Sequence, residues 1–327
     1  MVTQVAKSVP TTHELGLSLE HLHGWFDKNL PPRLKITSGD SVIYTTSDAG
    51  WDDRLPEHPY DQTRGRRPEG TGHALSGPIW VEAAEPGDTL AIHINEIVSR
   101  DWGFGVHRPG RAAISGILGG EPDDAKELFF RHYHLDRHRG TWRFNGRIEI
   151  PVAPFMGIFG VAPATDGRTV TAHPGPHGGN IDCKELCQGT TVYLPVFVPG
   201  ALFSVGDGHG AQGDGEVDGA AIETGMDRLV LDFELRTDLH IARPRAETAT
   251  HLLFLAFDEQ LNTAVREATR DVIAFLTDAQ GLTWGEAYNL CSLSVDFRIS
   301  QVVDGLTGVH AMLPKAIFTG DAPTFRA

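Results

Sequence analysis

Positive charge is scarce in this chain. Its 327 residues carry 28 Lys and Arg against 43 Asp and Glu, a formal net charge of −15. Nucleic acid and anionic membrane surfaces are held by clustered Lys and Arg, so neither is expected as a partner. A neutral or cationic small molecule suits the balance better. Cysteine is rarer still. Cys183, Cys187 and Cys291 are too few, and odd in number, for a disulfide framework. The reducing cytoplasm is therefore the expected compartment. Long apolar runs are missing: the longest, Leu252 to Phe257, falls far short of the ~20 residues of a membrane helix. Met1 to Pro10 lacks the apolar segment of a secretory signal.

Several catalytic signatures are absent too. Without a Gly-x-Ser-x-Gly elbow, the common serine-hydrolase reading lacks its anchor. Without a Gly-Lys dipeptide there is no phosphate loop, and no His-Glu-x-x-His occurs. No Gly-x-Gly-x-x-Gly follows a strand in a βαβ setting.

What is present is an ordinary globular balance, 40% hydrophobic and 22% charged, long enough for a sizeable core. Short runs rich in Val, Ile, Thr and aromatics predict strands over Ser41–Thr46, Ile79–Glu82, Thr89–Ile97, Thr191–Val198 and Leu229–Leu235. Strand, tight corner and strand recur around Ser38-Gly39-Asp40, Pro86-Gly87-Asp88 and Pro199-Gly200. Such units point to a sandwich or jelly-roll-like body. Helical spacing appears late. Leu261, Ala264, Val265, Ala268, Val272, Ile273, Phe275 and Leu276 form one stripe, with Asp258 as the expected N-cap and Gly281 as the stop. Thr283-Trp284-Gly285-Glu286 reads as a capping box opening a second helix to about Leu293. A short helix is predicted over Pro122–Phe130, and Tyr133–Trp142 reads as a polar surface excursion. The fold class is thus mainly β: a jelly-roll-like β-sandwich with α/β decoration and two helices in the C-terminal half. A single domain is expected over residues 1–327. Within it, residues 1–257 are β-rich, 258–294 form a helical insertion and 295–327 supply closing strands.

The densest chemistry lies in Gly206-Asp207-Gly208-His209-Gly210-Ala211-Gln212-Gly213-Asp214-Gly215-Glu216. Residues i and i+2 of an extended segment share a side, so Asp207 can face one point with His209, and Asp214 another with Glu216. Carboxylate oxygen beside imidazole nitrogen suits Zn²⁺ or another first-row divalent ion. A calcium loop starting at Asp214 fails, because its twelfth position is Gly225 rather than a bidentate Glu. In His173-Pro174-Gly175-Pro176-His177-Gly178-Gly179-Asn180-Ile181-Asp182, the expectation is that Asp182 joins the metal and Asn180 orients a substrate or ligand. His73 precedes a strand ending in Glu82; the first is a candidate ligand or substrate contact and the second a candidate base. Cys183-Lys184-Glu185 offers a cysteine nucleophile, but adjacent strand residues point to opposite faces.

Blocks running in order along nearly the whole chain carry a resemblance. They are Gly24-Trp25-Phe26-Asp27 through Ser38-Gly39-Asp40, Leu75 through Asp88, Pro174 through Asp182, Leu194-Pro195-Val196, Gly206 through Glu223, and Ser300-Gln301-Val302-Val303 through Leu313-Pro314-Lys315-Ala316. In these the chain resembles the acetamidase/formamidase family. The resemblance implies hydrolysis of a short aliphatic amide, formamide or acetamide, to carboxylic acid and ammonia. It also implies a homo-oligomer and a bound divalent metal, zinc first. Asp182, Asp207 and His209 are then the expected ligands. Glu82 or Glu223 is the expected base, with His73, Asn180, Gln212 and Glu216 contacting substrate or supporting the ligands. The chain departs from the family pattern at Ile181 and Cys183, where Met and commonly Asn are expected, and in the form of Gly72-His73-Ala74. Two other readings stay open: a non-catalytic β-domain binding a metal or small ligand, and an amidase dependent on Cys183.

Overall fold

The three glycine corners each carry the chain from one β-sheet to another. In the computed structural model, which describes residues 9–58, 67–109 and 127–325, Gly39 joins Leu34–Ile36 of a six-stranded sheet to Ser41–Tyr44 of a nine-stranded one. Gly87 joins Leu75–Val81 to Thr89–Ser99 in the same sense, and Gly200 joins Thr191–Pro195 back to Phe203–His209. Their φ values of 101°, 102° and 74° lie where a Cβ is strained. The acids of two corners lock the turn: Thr37 N–H donates to Asp40 Oδ2 (2.8 Å) and Glu85 N–H to Asp88 Oδ2 (3.0 Å).

The nine-stranded sheet runs in the order Thr12–Leu15, Ser41–Tyr44, Met226–Arg236, Thr89–Ser99, Thr191–Pro195, Arg245–Glu247, His251–Asp258, Thr307–Pro314, Asp296–Ile299. The six-stranded sheet runs Gly178–Asn180, Phe155–Gly160, Phe203–His209, Leu75–Val81, Leu22–His23, with Leu34–Ile36 parallel to Leu75–Val81. Their facing sides interdigitate. Val42, Ile92, Ile94, Val192, Leu229 and Leu231 of the first meet Ile79, Phe159, Phe203 and Val205 of the second, and all are sealed from solvent. Each such side chain contributes about 1.5–3 kcal/mol on burial.

The other face of the large sheet is covered by helices α1, Leu261–Gln280, and α2, Trp284–Ser294. Leu252, Phe254 and Ala256 point to α1, where Ala264, Ala268, Val272 and Leu276 receive them, while Leu253 and Leu255 point into the sandwich. A strand buried on both faces needs no polar alternation, which explains the continuous apolar run there. Gly281 ends α1 in the left-handed region at φ 63°, and Thr283 with Glu286 closes the capping box of α2. The start of α1 differs from expectation. Gln260 is the N-cap, because Asp258 is still paired in the strand opposite Thr307; its carboxylate accepts from Gln260 N–H instead (2.8 Å).

Tyr133–Trp142 is not a surface excursion. It lies across the strands Phe129–Asp136 and Thr141–Arg143, in a four-stranded sheet with Trp102–His107 and Glu149–Pro151. Trp142 is fully buried and donates its indole N–H to Gly210 O (3.0 Å); the outward His and Arg residues gave the segment its polar look. The helix expected over Pro122–Phe130 lies outside the described residues up to 126, and Phe129 and Phe130 begin a strand.

Candidate metal and active site

Asp207 and His209 occupy the end of the strand Phe203–His209, and the antiparallel neighbour Phe155–Gly160 lies beside them. Met156 and Ile158 pair with Gly208 and Gly206. Between them sits Gly157. A Cβ there would fall 2.4 Å from Asp182 Oδ1, 2.8 Å from Asp207 Oδ2 and 3.1 Å from His209 Cε1. The missing side chain is therefore the space in which three functional groups converge. Ile181 N–H and Asp182 N–H both donate to the Gly157 carbonyl (2.9 and 3.1 Å), which anchors the chain where it delivers Asp182.

The glycines before Asp182 serve close approach. A Cβ on Gly178 would sit 2.1 Å from Phe159 O, so only glycine lets Gly178–Asn180 pair against the strand that carries Gly157. Asp182, Asp207 and Glu216 are held at φ 47°, 61° and 43°. Backbone strain of this kind persists only where the surroundings impose it, and it gathers at functional positions.

Around Asp182, Asp207 and His209, whose ligand atoms lie within 4.8 Å of one another, two further groups close in: His209 with Glu216 and Glu223, and Asp182 with Glu216 and Asp304. His209 Nε2 is 3.5 Å from Asp207 Oδ2 and 3.7 Å from Glu223 Oε2. The backbone of Glu223 bridges to both Phe104 and His209, which ties the four-stranded sheet to the site. Gln212 fixes the imidazole. Its amide nitrogen donates to Asp182 O (2.9 Å) and Ser300 O (3.3 Å), so its Oε1 is left to accept from His209 Nδ1 (2.9 Å). Nε2 then faces the carboxylates.

The remaining expected residues fall in different places. His73 stands half-buried at the rim, 3.0 Å from Thr171 Oγ1, where its charge acts on Asp207 and Asp304. Asn180 is buried, with Oδ1 lacking a hydrogen-bond partner. Glu82 is exposed at the corner after Leu75–Val81, its N–H bonded to Ile36 O, and the structure does not bring it to the cluster. Asp214 and Glu216 separate: Asp214 turns to Lys184 (3.0 Å) and Arg298 (2.5 Å), while Glu216 turns inward. Cys183 is fully buried in the inter-sheet core, its thiol pushed well up by burial and by Glu185, and its neighbour Lys184 is engaged elsewhere. Sequence reasoning missed Gly157 and Asp304. An acid before glycine, Asp304-Gly305, was the available signal for the second.

Electrostatically the site is short of positive charge. Burial pushes the Asp182 carboxyl well above its usual range, and Glu216, Asp304 and Asp207 add to the push. Burial does the same to Glu216 against the pull of His209. Glu223 rises to about 7, mainly by burial, with His209 opposing. Burial would raise Asp207, but His209 and His73 outweigh it and hold it at about 2. Burial would lower His209, yet Asp207 and Glu223 drive it up to about 10. Asp182 Oδ1 and Asp304 Oδ2 are buried without a hydrogen-bond partner. Five acids around one imidazole, with orphaned oxygens and a gap framed by Gly157, make a donor set that fits a divalent cation.

The acetamidase/formamidase family model matches residues 9–171 and 165–320. An acetamidase of Mycolicibacterium smegmatis is 30% identical, with 47% of this chain and 51% of that protein covered. A formamidase of Methylophilus methylotrophus is 29% identical, with 44% and 47% covered. The chain spans about half the length of these curated relatives. Among solved structures, a predicted acetamidase/formamidase of Thermoanaerobacter tengcongensis superposes with a TM-score of 0.85 at 29% identity, covering 96% of this chain and 99% of that one.

Proposed function

This chain belongs to the acetamidase/formamidase family, and from that membership we propose that it hydrolyses a short neutral amide, formamide or acetamide, to the carboxylic acid and ammonia. The observation that carries this reading is the convergence of Asp182, Asp207 and His209 on the gap at Gly157. These three residues would hold a divalent metal, zinc first because a nitrogen donor accompanies the oxygens. Such an ion supplies Lewis-acid chemistry, activating water and polarising a carbonyl.

The chain's own groups do the rest. Gln212 keeps the proton of His209 on Nδ1, leaving Nε2 as the ligand atom. Glu223 lies 3.7 Å from that nitrogen and keeps 15% of its side chain exposed, which leaves it open to solvent. It takes a proton from water as the water oxygen bonds to the amide carbon. It then gives that proton to nitrogen as the C–N bond breaks and ammonia leaves. Asn180 Oδ1, buried and unpartnered, would accept from the amide N–H, and the half-buried His73 would contact the substrate. Glu82 has no role in this reading. One methylene changes binding by only ~1–3 kcal/mol, so formamide and acetamide are both substrates to be tried.

Self-association is expected of the family and belongs to the same proposal. So does a cytoplasmic setting, which three free cysteines favour; among the described residues no helix is long and apolar enough to cross a membrane. The test is ammonia release from formamide and acetamide before chelation, after it, and after zinc is restored. Release that disappears and returns supports the reading. A metal-loaded protein that releases no ammonia from either amide is a binding domain instead.

A further inference from the structure

A second group of ligating side chains begins one residue after Asp182, at Cys183, and shares no member with the first. Cys183 Sγ is 3.3 Å from Glu185 Oε2, and His310 Nε2 is 3.0 Å from the same oxygen. All three donor atoms fall within 4.8 Å of one another. His310 comes from the strand Thr307–Pro314, where it pairs with Arg298. The imidazole is sealed from solvent; its Nε2 faces Glu185 Oε2, while its Nδ1 has no hydrogen-bond partner. A ring nitrogen buried in that state loses its hydration without replacement.

The remaining oxygen of Glu185 is already engaged. Arg298 Nη1 donates to Oε1 (2.6 Å), and the same guanidinium reaches Asp214 (2.5 Å). Arg298 thus fixes the carboxylate so that Oε2 faces Cys183 and His310, the arrangement in which a supporting group orients a ligand. A tetrahedral centre with bonds of about 2.0–2.3 Å sets neighbouring donors roughly 3.3–3.7 Å apart. The two observed separations, 3.0 and 3.3 Å, need only a small outward movement to admit an ion. Glu185, with 11% of its side chain exposed, is the member nearest solvent.

The geometry points to Cys183, Glu185 and His310 as a second, thiolate-containing site for a divalent metal of the zinc type. It is separate from the acidic cluster, which contains no sulfur. Binding releases the thiol proton as the sulfur–metal bond forms. It would pin the turn that follows Asp182 to a strand of the large sheet.

Cobalt(II) distinguishes the two sites, because only a thiolate gives the near-ultraviolet sulfur-to-cobalt charge-transfer band. The intact chain, stripped with chelator and titrated with Co²⁺ alone, is expected to develop that band. Cys183→Ala should abolish it, His310→Gln should weaken the cobalt affinity behind it by ~10-fold or more, and Asp207→Asn should leave it in place. No band in the intact protein at saturating cobalt would overturn the site. So would a band that survives Cys183→Ala, since Cys187 or Cys291 would then be its source. Failure of the amidase reading shows separately, as absent ammonia release whatever the band does.

Discussion

Gln212 and His209 are joined by a single hydrogen bond, Nδ1 to Oε1 at 2.9 Å, and its direction is set from outside the pair. The amide nitrogen of Gln212 spends its protons on Asp182 O and Ser300 O, so its oxygen must accept. One side chain therefore fixes the tautomer of His209, braces the residue that carries Asp182, and touches the closing segment before Asp304. Replacing it with Leu should cost ~10–100-fold in metal affinity and comparably in kcat/KM. Metal titration followed by amide turnover reads both. Unchanged affinity would remove Gln212 from the support of the site.

Gly157 matters for what it lacks. Alanine there would place a methyl 2.4 Å from Asp182 Oδ1 and 2.8 Å from Asp207 Oδ2, inside the gap where the proposed ligands meet. The side chains must move apart, at a cost of about 1–3 kcal/mol in strain. Gly157→Ala should fold with a modest fall in melting temperature and lose most of its metal. Elemental analysis beside a thermal melt checks it; full metal content in a folded variant would contradict the proposed ligand gap.

The fold was legible where physics is local. Pattern alone placed the corners at Gly39, Gly87 and Gly200, the stripe of α1 and the capping box of α2. The i, i+2 argument placed Asp207 beside His209 because both stand at the end of one strand. It failed for Asp214 and Glu216 because that strand has already ended and Glu216 takes a positive φ, which swings the two side chains apart. Asp304 comes from a distant stretch of the chain: Asp304-Gly305 marks a turn, but nothing local tells that it meets Asp182, 122 residues away, as 304 − 182 shows. Gly157 was invisible for a simpler reason: inside Phe155-Met156-Gly157-Ile158-Phe159 it reads as a gap in an apolar strand.

Away from the cluster, His23 makes stability depend on pH. Its Nδ1 lies 2.8 Å from Trp25 O and its Nε2 2.8 Å from Ser204 Oγ, which locks a neutral ring. Burial drives its pKa down to about 4 from 6.5. Below pH 6.5 the unfolded chain takes up a proton that the folded chain refuses, so stability falls with pH until about 4, where both forms are charged. Between pH 7 and pH 5 the loss assignable to this residue should be about 2 kcal/mol. Urea unfolding at the two pH values, wild type against His23→Gln, isolates it: the variant should lose less stability on acidification. Equal losses would show that His23 is not the group responsible.

Two carboxylates shared the expectation of a catalytic base, and geometry separates them. Glu223 reaches within 3.7 Å of His209 Nε2 from a bridge between two sheets, partly exposed and facing the other acids. Glu82 lies exposed at the corner closed by Gly87, with only its backbone N–H engaged to Ile36 O. A general base must come within hydrogen-bond reach of the proton it moves, so position decides before acidity does. Glu223→Gln removes the proposed proton acceptor and keeps the volume. It should lower kcat by ~10²–10⁴-fold while metal content and KM change little. Glu82→Gln should leave kcat/KM within about twofold, as a surface substitution away from the chemistry does. If Glu82→Gln instead proved as damaging as Glu223→Gln in a folded, metal-loaded protein, the assignment of the base would have to be reversed, and the corner after Leu75–Val81 would have to approach the substrate during turnover.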